Sequence, residues 1–190
     1  MQLYLGLVLV FFILAFGIKN IKTYLSTGVS IRGRSSKLTA SILLSTIIYI
    51  LIFLRLIFLE PSWIMEIHPV GYEIFRIIGF AFVTIGFFLG IFSLISMKNS
   101  WRIGIKYEQK TALVTSGVYR ISRNPYFFSY DLLILGYIFI FPSLVLVVLY
   151  VPLVIVFHKM ILEEEKYLET VHGEVYLNYK RRVNRYLSLM

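Results

Sequence analysis

The stretch TALVTSGVYRISRNPYF, Thr111–Phe127, decides how this chain is read. It is the longest run that looks neither like a membrane span nor like a simple linker. It gathers Gly117, Tyr119, Arg120, Arg123, Asn124, Pro125 and Tyr126 directly ahead of a hydrophobic segment. Proline suits a first helical turn, so Pro125 marks the start of that segment as a helix. Around this run the chain is apolar: 58% of its 190 residues are hydrophobic, with a mean hydropathy of +0.80. Soluble domains are usually about 45–50% apolar. The excess, with its long uncharged runs, places the chain in the membrane class.

Working outward, residues 2 to 18 are uncharged and rich in Leu, Val, Phe and Ile. They lack the basic start and the small-residue cleavage site of a signal peptide, so a retained first span is expected. A second span is expected over 38 to 59 and a third over 72 to 97. Twenty-two helical residues rise about 33 Å, enough for the roughly 30 Å hydrocarbon core. Arg55 lies near the far end of the second span, where its side chain can reach the interface. The third contains Gly86-Phe87-Phe88-Leu89-Gly90, a small-residue spacing that lets another helix approach closely. The connection at 60 to 71 is rich in turn residues and carries Trp63 as an interfacial aromatic. Beyond the central stretch, residues 126 to 141 and 143 to 162 read as a tight helical hairpin joined at Pro142-Ser143. Pro152 in the second arm predicts a kink.

The tail from Glu163 repeats Leu168, Val171, Val175, Tyr179, Val183 and Tyr186 at spacings of three and four. That is one apolar stripe on a helix, possible to break at Gly173, and it predicts an amphipathic helix lying in the interface. The expected fold is therefore all-α and integral to the membrane, with five transmembrane helices and a C-terminal amphipathic helix. One domain spans 1–190, with N-terminal spans in 1–59 and a catalytic half in 98–187.

Charge placement tests this count. Seventeen of the nineteen Lys and Arg residues fall in three segments, 19–37, 98–123 and 159–185, and none falls in 60–71. Five alternating spans bring all three segments to one face. By the positive-inside rule that face is cytoplasmic, and the N-terminus lies outside. The net charge of +9 then reports orientation and anionic lipid rather than nucleic acid.

Two polar clusters meet at the basic face. One holds Arg120, Arg123, Asn124 and Tyr126, and the other holds Glu163, Glu164 and Glu165. The hairpin joins them, because residue 125 opens one arm and residue 162 closes the other. Such a place suits a charged ligand carrying an adenosine. A guanidinium pairs with a carboxylate, a glutamate accepts from ribose hydroxyls, and aromatic rings cover an adenine. Taken singly, each of these residues reads first as a solvated or anchoring group at a helix end. There are no cysteines, which excludes disulfides and thiolate chemistry, and His68, His158 and His172 are too scattered to suggest a metal site. Phosphate loops and dinucleotide fingerprints are missing.

The run Leu113-Val114-Thr115-Ser116-Gly117-Val118-Tyr119, followed by Arg123-Asn124-Pro125-Tyr126, resembles the isoprenylcysteine carboxyl methyltransferase and phospholipid methyltransferase superfamily. So does Glu164-Glu165-Lys166-Tyr167-Leu168 with Gly173, Tyr176, Tyr179 and Val183. The resemblance covers residues 98 to 187. It implies an integral membrane enzyme that uses S-adenosylmethionine. The cofactor site it implies is built by Leu113, Val114, Tyr119, Asn124, Pro125, Tyr126 and Glu164, with Arg123 and Glu165 as neighbours. A lipophilic acceptor would enter from the bilayer, with membrane lipids as further partners and no metal or nucleic acid. The chain departs from the pattern twice. Asn124 stands where the family commonly has histidine. Met160 stands where the carboxyl methyltransferases carry a substrate-binding arginine, four residues before the first glutamate.

The expected reaction is direct displacement at the sulfonium methyl, which needs mainly alignment of acceptor and methyl group. His158 is the candidate base for an amine acceptor, with an interfacial histidine as the alternative reading. The best guess for the acceptor is the carboxylate of a prenylated cysteine. Alternatives are a phospholipid N-methyltransferase, an NADPH-dependent sterol-type reductase, and a non-catalytic lipid-binding membrane protein. Asp131 is the one acid within a span, either near the cofactor pocket or structural.

Overall fold

The computed structural model describes residues 1–33, 35–57, 66–67, 70–105 and 111–188. Trp63, His68, Arg34, Lys106 and Lys110 lie outside the described residues. Six α-helices follow in order: α1 (Gln2–Thr27), α2 (Ser36–Leu56), α3 (Tyr72–Ser96), α4 (Pro125–Ile140), α5 (Leu144–His172) and α6 (Glu174–Arg182). Two 3₁₀ turns, Lys98–Ser100 and Gly117–Arg120, lie between α3 and α4. Among the described residues there is no β-strand, only two isolated bridges.

Four helices, α1, α2, α3 and α5, are long and apolar enough to cross a membrane. The fourth helix in the chain is shorter: the 16 residues of α4 rise about 24 Å, less than the hydrocarbon core. Its surroundings explain how it is tolerated. α4 is apolar on all sides, and Leu133, Ile134, Tyr137 and Ile140 are wholly buried. The hydroxyl of Tyr137 donates to the Leu5 carbonyl of α1 at 2.6 Å. α4 is thus sheathed by the other helices rather than by lipid.

The α3–α4 contact is set by glycines. A Cβ placed on Gly79 would lie 2.7 Å from the Gly136 carbonyl, and one on Gly86 would lie 2.8 Å from the Ser129 carbonyl. The helices approach backbone to backbone, as the small-residue spacing in α3 predicts.

At one face the loop after α1 runs beside the segment after α3. The Gly33 amide donates to the Ile103 carbonyl at 2.8 Å, and the Ile103 amide donates to Ile31 at 2.9 Å. At the opposite face the Ile67 amide donates to Pro142 at 2.8 Å. Arg55 pairs there with Glu66 and lies 4.8 Å over the Phe141 ring. Arg55 is therefore held inside a cluster at the helix end, and does not simply reach out into the interface.

Two expectations for the C-terminal region change. α5 does not stop at residue 162; it runs on unbroken through the three glutamates to His172. The apolar stripe also changes phase. Gly173 breaks the helix with φ 51° and ψ −130°, so Leu168 and Val171 belong to α5. After the break Tyr176, Tyr179 and Val183 turn inward against Leu113 and Leu168, while Val175 is exposed. The break foreseen at Gly173 occurs, and the tail is the end of α5 and a nine-residue α6 folded against the central stretch.

Candidate functional site

The central stretch begins to take shape at Gly117. Its φ of 64° is left-handed, and a Cβ there would lie 2.8 Å from the Ser96 hydroxyl. Glycine meets both demands and lets the 3₁₀ turn sit on the end of α3. The turn buries Tyr119, whose carbonyl accepts a 2.6 Å hydrogen bond from the Tyr179 hydroxyl of α6. Asn124 is the residue before α4 and Pro125 opens it. The Asn124 amide N–H donates to Ser122 Oγ at 3.1 Å.

Glu165 is the hub that joins these parts. Its carboxylate is 3% exposed and takes four charged hydrogen bonds. Arg123 donates through Nη2 at 2.8 Å and Nε at 3.1 Å, and Arg185 through Nη2 at 2.9 Å and Nε at 3.1 Å. Asn124 Nδ2 adds a fifth donor at 3.2 Å, and also reaches the Arg185 carbonyl at 3.2 Å. Charge-assisted, paired donors of this kind are the condition under which a buried carboxylate is tolerated. Arg123 Nη1 further binds the Val183 and Lys180 carbonyls at 2.6 and 3.2 Å. Its charge is therefore satisfied within the fold.

Two cavities adjoin this hub. The smaller, about 70 Å³, is lined by Leu113, Val114, Tyr119, Tyr167, Leu168 and Tyr176, among others. The larger, about 290 Å³, reaches between α1, α2 and α4 past Phe12, Phe16, Tyr49, Trp101, Tyr126 and Tyr130. Tyr119, Arg123, Asn124 and Glu164 line both. Glu164 makes no hydrogen bond or ion pair among the described residues. The carboxylate at the junction is thus open to a ligand, in contrast to its neighbour Glu165. The Tyr176 hydroxyl, on the small cavity, is buried and has no hydrogen-bond partner among the described residues. Burial, and then Glu165, push its phenol up from the ordinary tyrosine range. Burial and then Glu164 do the same for Tyr119. Both phenols stay protonated donors near neutral pH. Hydrogen bonds to Glu165 hold the Arg185 guanidinium above its usual range.

The sequence-predicted site residues divide accordingly. Leu113 and Val114 line the small cavity, Tyr126 the large one, and Tyr119, Arg123, Asn124 and Glu164 both. Glu165 and Pro125 line neither; they hold the wall from behind. His158 also lines neither, and its Nδ1 lies 2.5 Å from the Tyr186 hydroxyl. Asp131 is half-buried on α4 away from both cavities, with Oδ1 buried and unpartnered. Met160 lines the large cavity. Sequence reasoning missed Arg185, which looks like one more basic tail residue, and the α1 and α2 residues of the large cavity. Apolar periodicity places such residues on helices but does not say which helices meet.

An orphaned phenol and an open carboxylate fit a cofactor that carries hydroxyls and positive charge. S-adenosylmethionine has both, and the aromatic walls fit an adenine. Among the described residues no group of three or more His, Cys, Asp or Glu could hold a metal ion.

The chain matches no curated protein and no solved structure. The family model described as phospholipid methyltransferase matches residues 74–175, more than half of the chain. That span runs from the first turn of α3 to the first turn of α6, and it contains the 3₁₀ turn, Asn124 and both glutamates. This all-helical chain, with four helices long and apolar enough to cross a membrane, is thus a membrane methyltransferase, and it belongs to the phospholipid methyltransferase family.

Proposed function

We propose that the chain transfers a methyl group from S-adenosylmethionine to the amine of a membrane phospholipid, with residues 98–187 as its catalytic half. One observation carries the reading: a small cavity edged by tyrosines and a larger apolar one meet at Glu164, Asn124 and Tyr119. The cofactor, when bound across the junction of the two cavities, supplies an electrophilic methyl group. Leu113 and Val114 form its apolar wall there. Glu164 and the Tyr176 hydroxyl offer an acceptor and a donor. Asn124, Arg123 and Glu165 keep the junction rigid, which matters because displacement depends on alignment.

The lining of the large cavity favours an amine acceptor. Tyr126 lies between Phe12, Phe16 and Trp101, with ring centroids 6.0, 6.2 and 4.9 Å away. Clustered aromatic faces attract ammonium groups. Met160 offers no charge to a carboxylate at the position where the carboxyl methyltransferases use arginine. An amine attacks as its free base, whereas a carboxylate needs no base.

A second reading keeps the carboxylate of a prenylated cysteine as acceptor. It is favoured by Arg102, which lines both cavities and donates to the Asn99 and Trp101 carbonyls at 3.0 and 2.7 Å. Transfer of a labelled methyl group by purified protein separates the two readings. Phosphatidylethanolamine in vesicles becomes labelled on the first, and a farnesylcysteine analogue on the second. Calorimetry with S-adenosylmethionine and S-adenosylhomocysteine tests the cofactor itself. Micromolar binding that Glu164→Ala weakens by about tenfold or more is expected, the size of a lost hydrogen bond to a charged group. Folded protein that binds neither ligand rejects the methyltransferase reading of this site, and NADPH is then the ligand to try.

A further inference from the structure

A groove of about 550 Å³ lies outside the site described above, between the ends of α1 and α3 at the basic face. Its polar end is lined by Lys19, Lys22 and Lys98, and its apolar end by Ile18, Ile91 and Leu94. No acidic residue lines it among the described residues. Lys22 and Lys98 offer ammonium groups that make no ion pair or hydrogen bond to a described residue. Lys19 Nζ donates to the Lys98 carbonyl at 2.7 Å, which ties the two walls together.

The backbone at this place is unusual as well. Lys98 has φ 45° and is the one non-glycine residue with positive φ among the described residues. Such a conformation is costly for a lysine and needs support from its surroundings. Here the support comes from Lys19 and from the Ser100 amide, which donates to Met97 at 2.8 Å. Lys19 and Lys22 of α1 and Lys98 of the turn thus bring three positive charges to one groove. Below them, the groove runs between two membrane helices with apolar walls.

We infer that this groove binds an anionic glycerophospholipid, its phosphate among Lys19, Lys22 and Lys98 and an acyl chain along Ile18, Ile91 and Leu94. Basic pockets between membrane helices recognise acidic headgroups in this way. The groove lies further along α1 than the large methyl-transfer cavity and shares no lining residue with either methyl-transfer cavity.

The test uses the full chain purified in detergent and titrated with phosphatidylglycerol or phosphatidylcholine, with bound lipid counted by native mass spectrometry. Phosphatidylglycerol is expected to be retained and phosphatidylcholine lost. Each lysine near an anionic lipid contributes about 1 kcal/mol, or about fivefold. Lys22→Gln is therefore expected to weaken phosphatidylglycerol retention about fivefold with an unchanged unfolding temperature. The triple variant K19Q/K22Q/K98Q should abolish it, whereas K166Q/R181Q/R182Q, on α5 and α6 at the same face, should leave it intact. Equal retention of the two lipids overturns the inference, as does equal loss in both triple variants. Glycerol phosphate displacing the lipid at equal concentration would show a site for a free anion and would overturn the assignment to lipid.

Discussion

Removing an arginine from Glu165 leaves a negative charge behind where there is little water to receive it. The two arginines differ in how much water they see: the Arg123 side chain is 7% exposed and that of Arg185 is 31% exposed. Breaking a buried pair by deleting one partner costs about 3–5 kcal/mol. Arg123→Ala should approach that range, and it also strips donors from the Val183 and Lys180 carbonyls. Arg185→Ala should cost about 1 kcal/mol, because solvent screens the charge it leaves. Denaturant unfolding of the two variants in detergent checks the order, and an equal or reversed cost would remove Arg123 from the centre of the hub. Glu164, one residue away, has no such partner among the described residues, so Glu164→Ala should lower cofactor affinity without a comparable loss of stability. The adjacent carboxylates thus divide into one that builds the wall and one that faces the ligand. Their spacing in the sequence announces a pair. It cannot assign these roles, because the assignment depends on Arg185, twenty residues further on and past a helix break.

Helix contacts can be probed through glycines that differ only in their neighbours. A Cβ on Gly136 would lie 2.7 Å from the Gly79 carbonyl and 2.8 Å from the Val83 amide, both backbone atoms. Gly136→Ala must push α3 and α4 apart and should cost about 1–3 kcal/mol, the usual range for overpacking. Gly6, in α1, has nothing within 4 Å of such a Cβ. Gly6→Ala should be neutral or stabilising by up to about 1 kcal/mol, since alanine is the better helix former. Thermal unfolding of the two variants in detergent tests the contrast, and equal effects would deny the close approach of α3 and α4. The Gly86–Gly90 spacing made this approach legible in the sequence, as Pro125 did for the start of α4. The end of α5 was not legible in the same way. Three consecutive glutamates read as a stop where hydropathy alone is weighed. In the fold they continue the helix, because Glu165 finds two arginines and Glu163 pairs with Lys37. The tail stripe was misphased for a related reason. A period of 3.6 carries across residues 168–186 only if the helix does, and Gly173 resets it, exchanging Val175 for Tyr176 on the buried side.

At the scale of the whole molecule, the alternation of helices gathers the basic segments at one end. The Lys37–Glu163 and Arg123–Glu165 pairs, the loop after α1 and α6 all lie there, whereas the Arg55–Glu66 pair marks the other end. That the short α4 completes this alternation as a fifth crossing is proposed here; it is covered by protein along its length. A hydrophobicity count cannot foresee that, since it treats every span as facing lipid. Which end faces the cytoplasm follows from the positive-inside rule, and that orientation is proposed here. The absence of native cysteine makes it testable without background labelling. Val70 is fully exposed at the α3 entry, and Thr115 and Glu174 are exposed at the opposite end. Single Thr115→Cys and Glu174→Cys variants should resist a membrane-impermeant maleimide in intact cells and react after permeabilisation. Val70→Cys should react in intact cells. Thr115 and Glu174 reacting on opposite sides would break the alternation itself, and with it the meeting of the 3₁₀ turn and α5 that forms the site. All three variants reversing together would keep the fold and invert the protein. The cavity junction at Glu164 would then open to the outside, away from the cytoplasmic pool of cofactor that the proposed reaction requires.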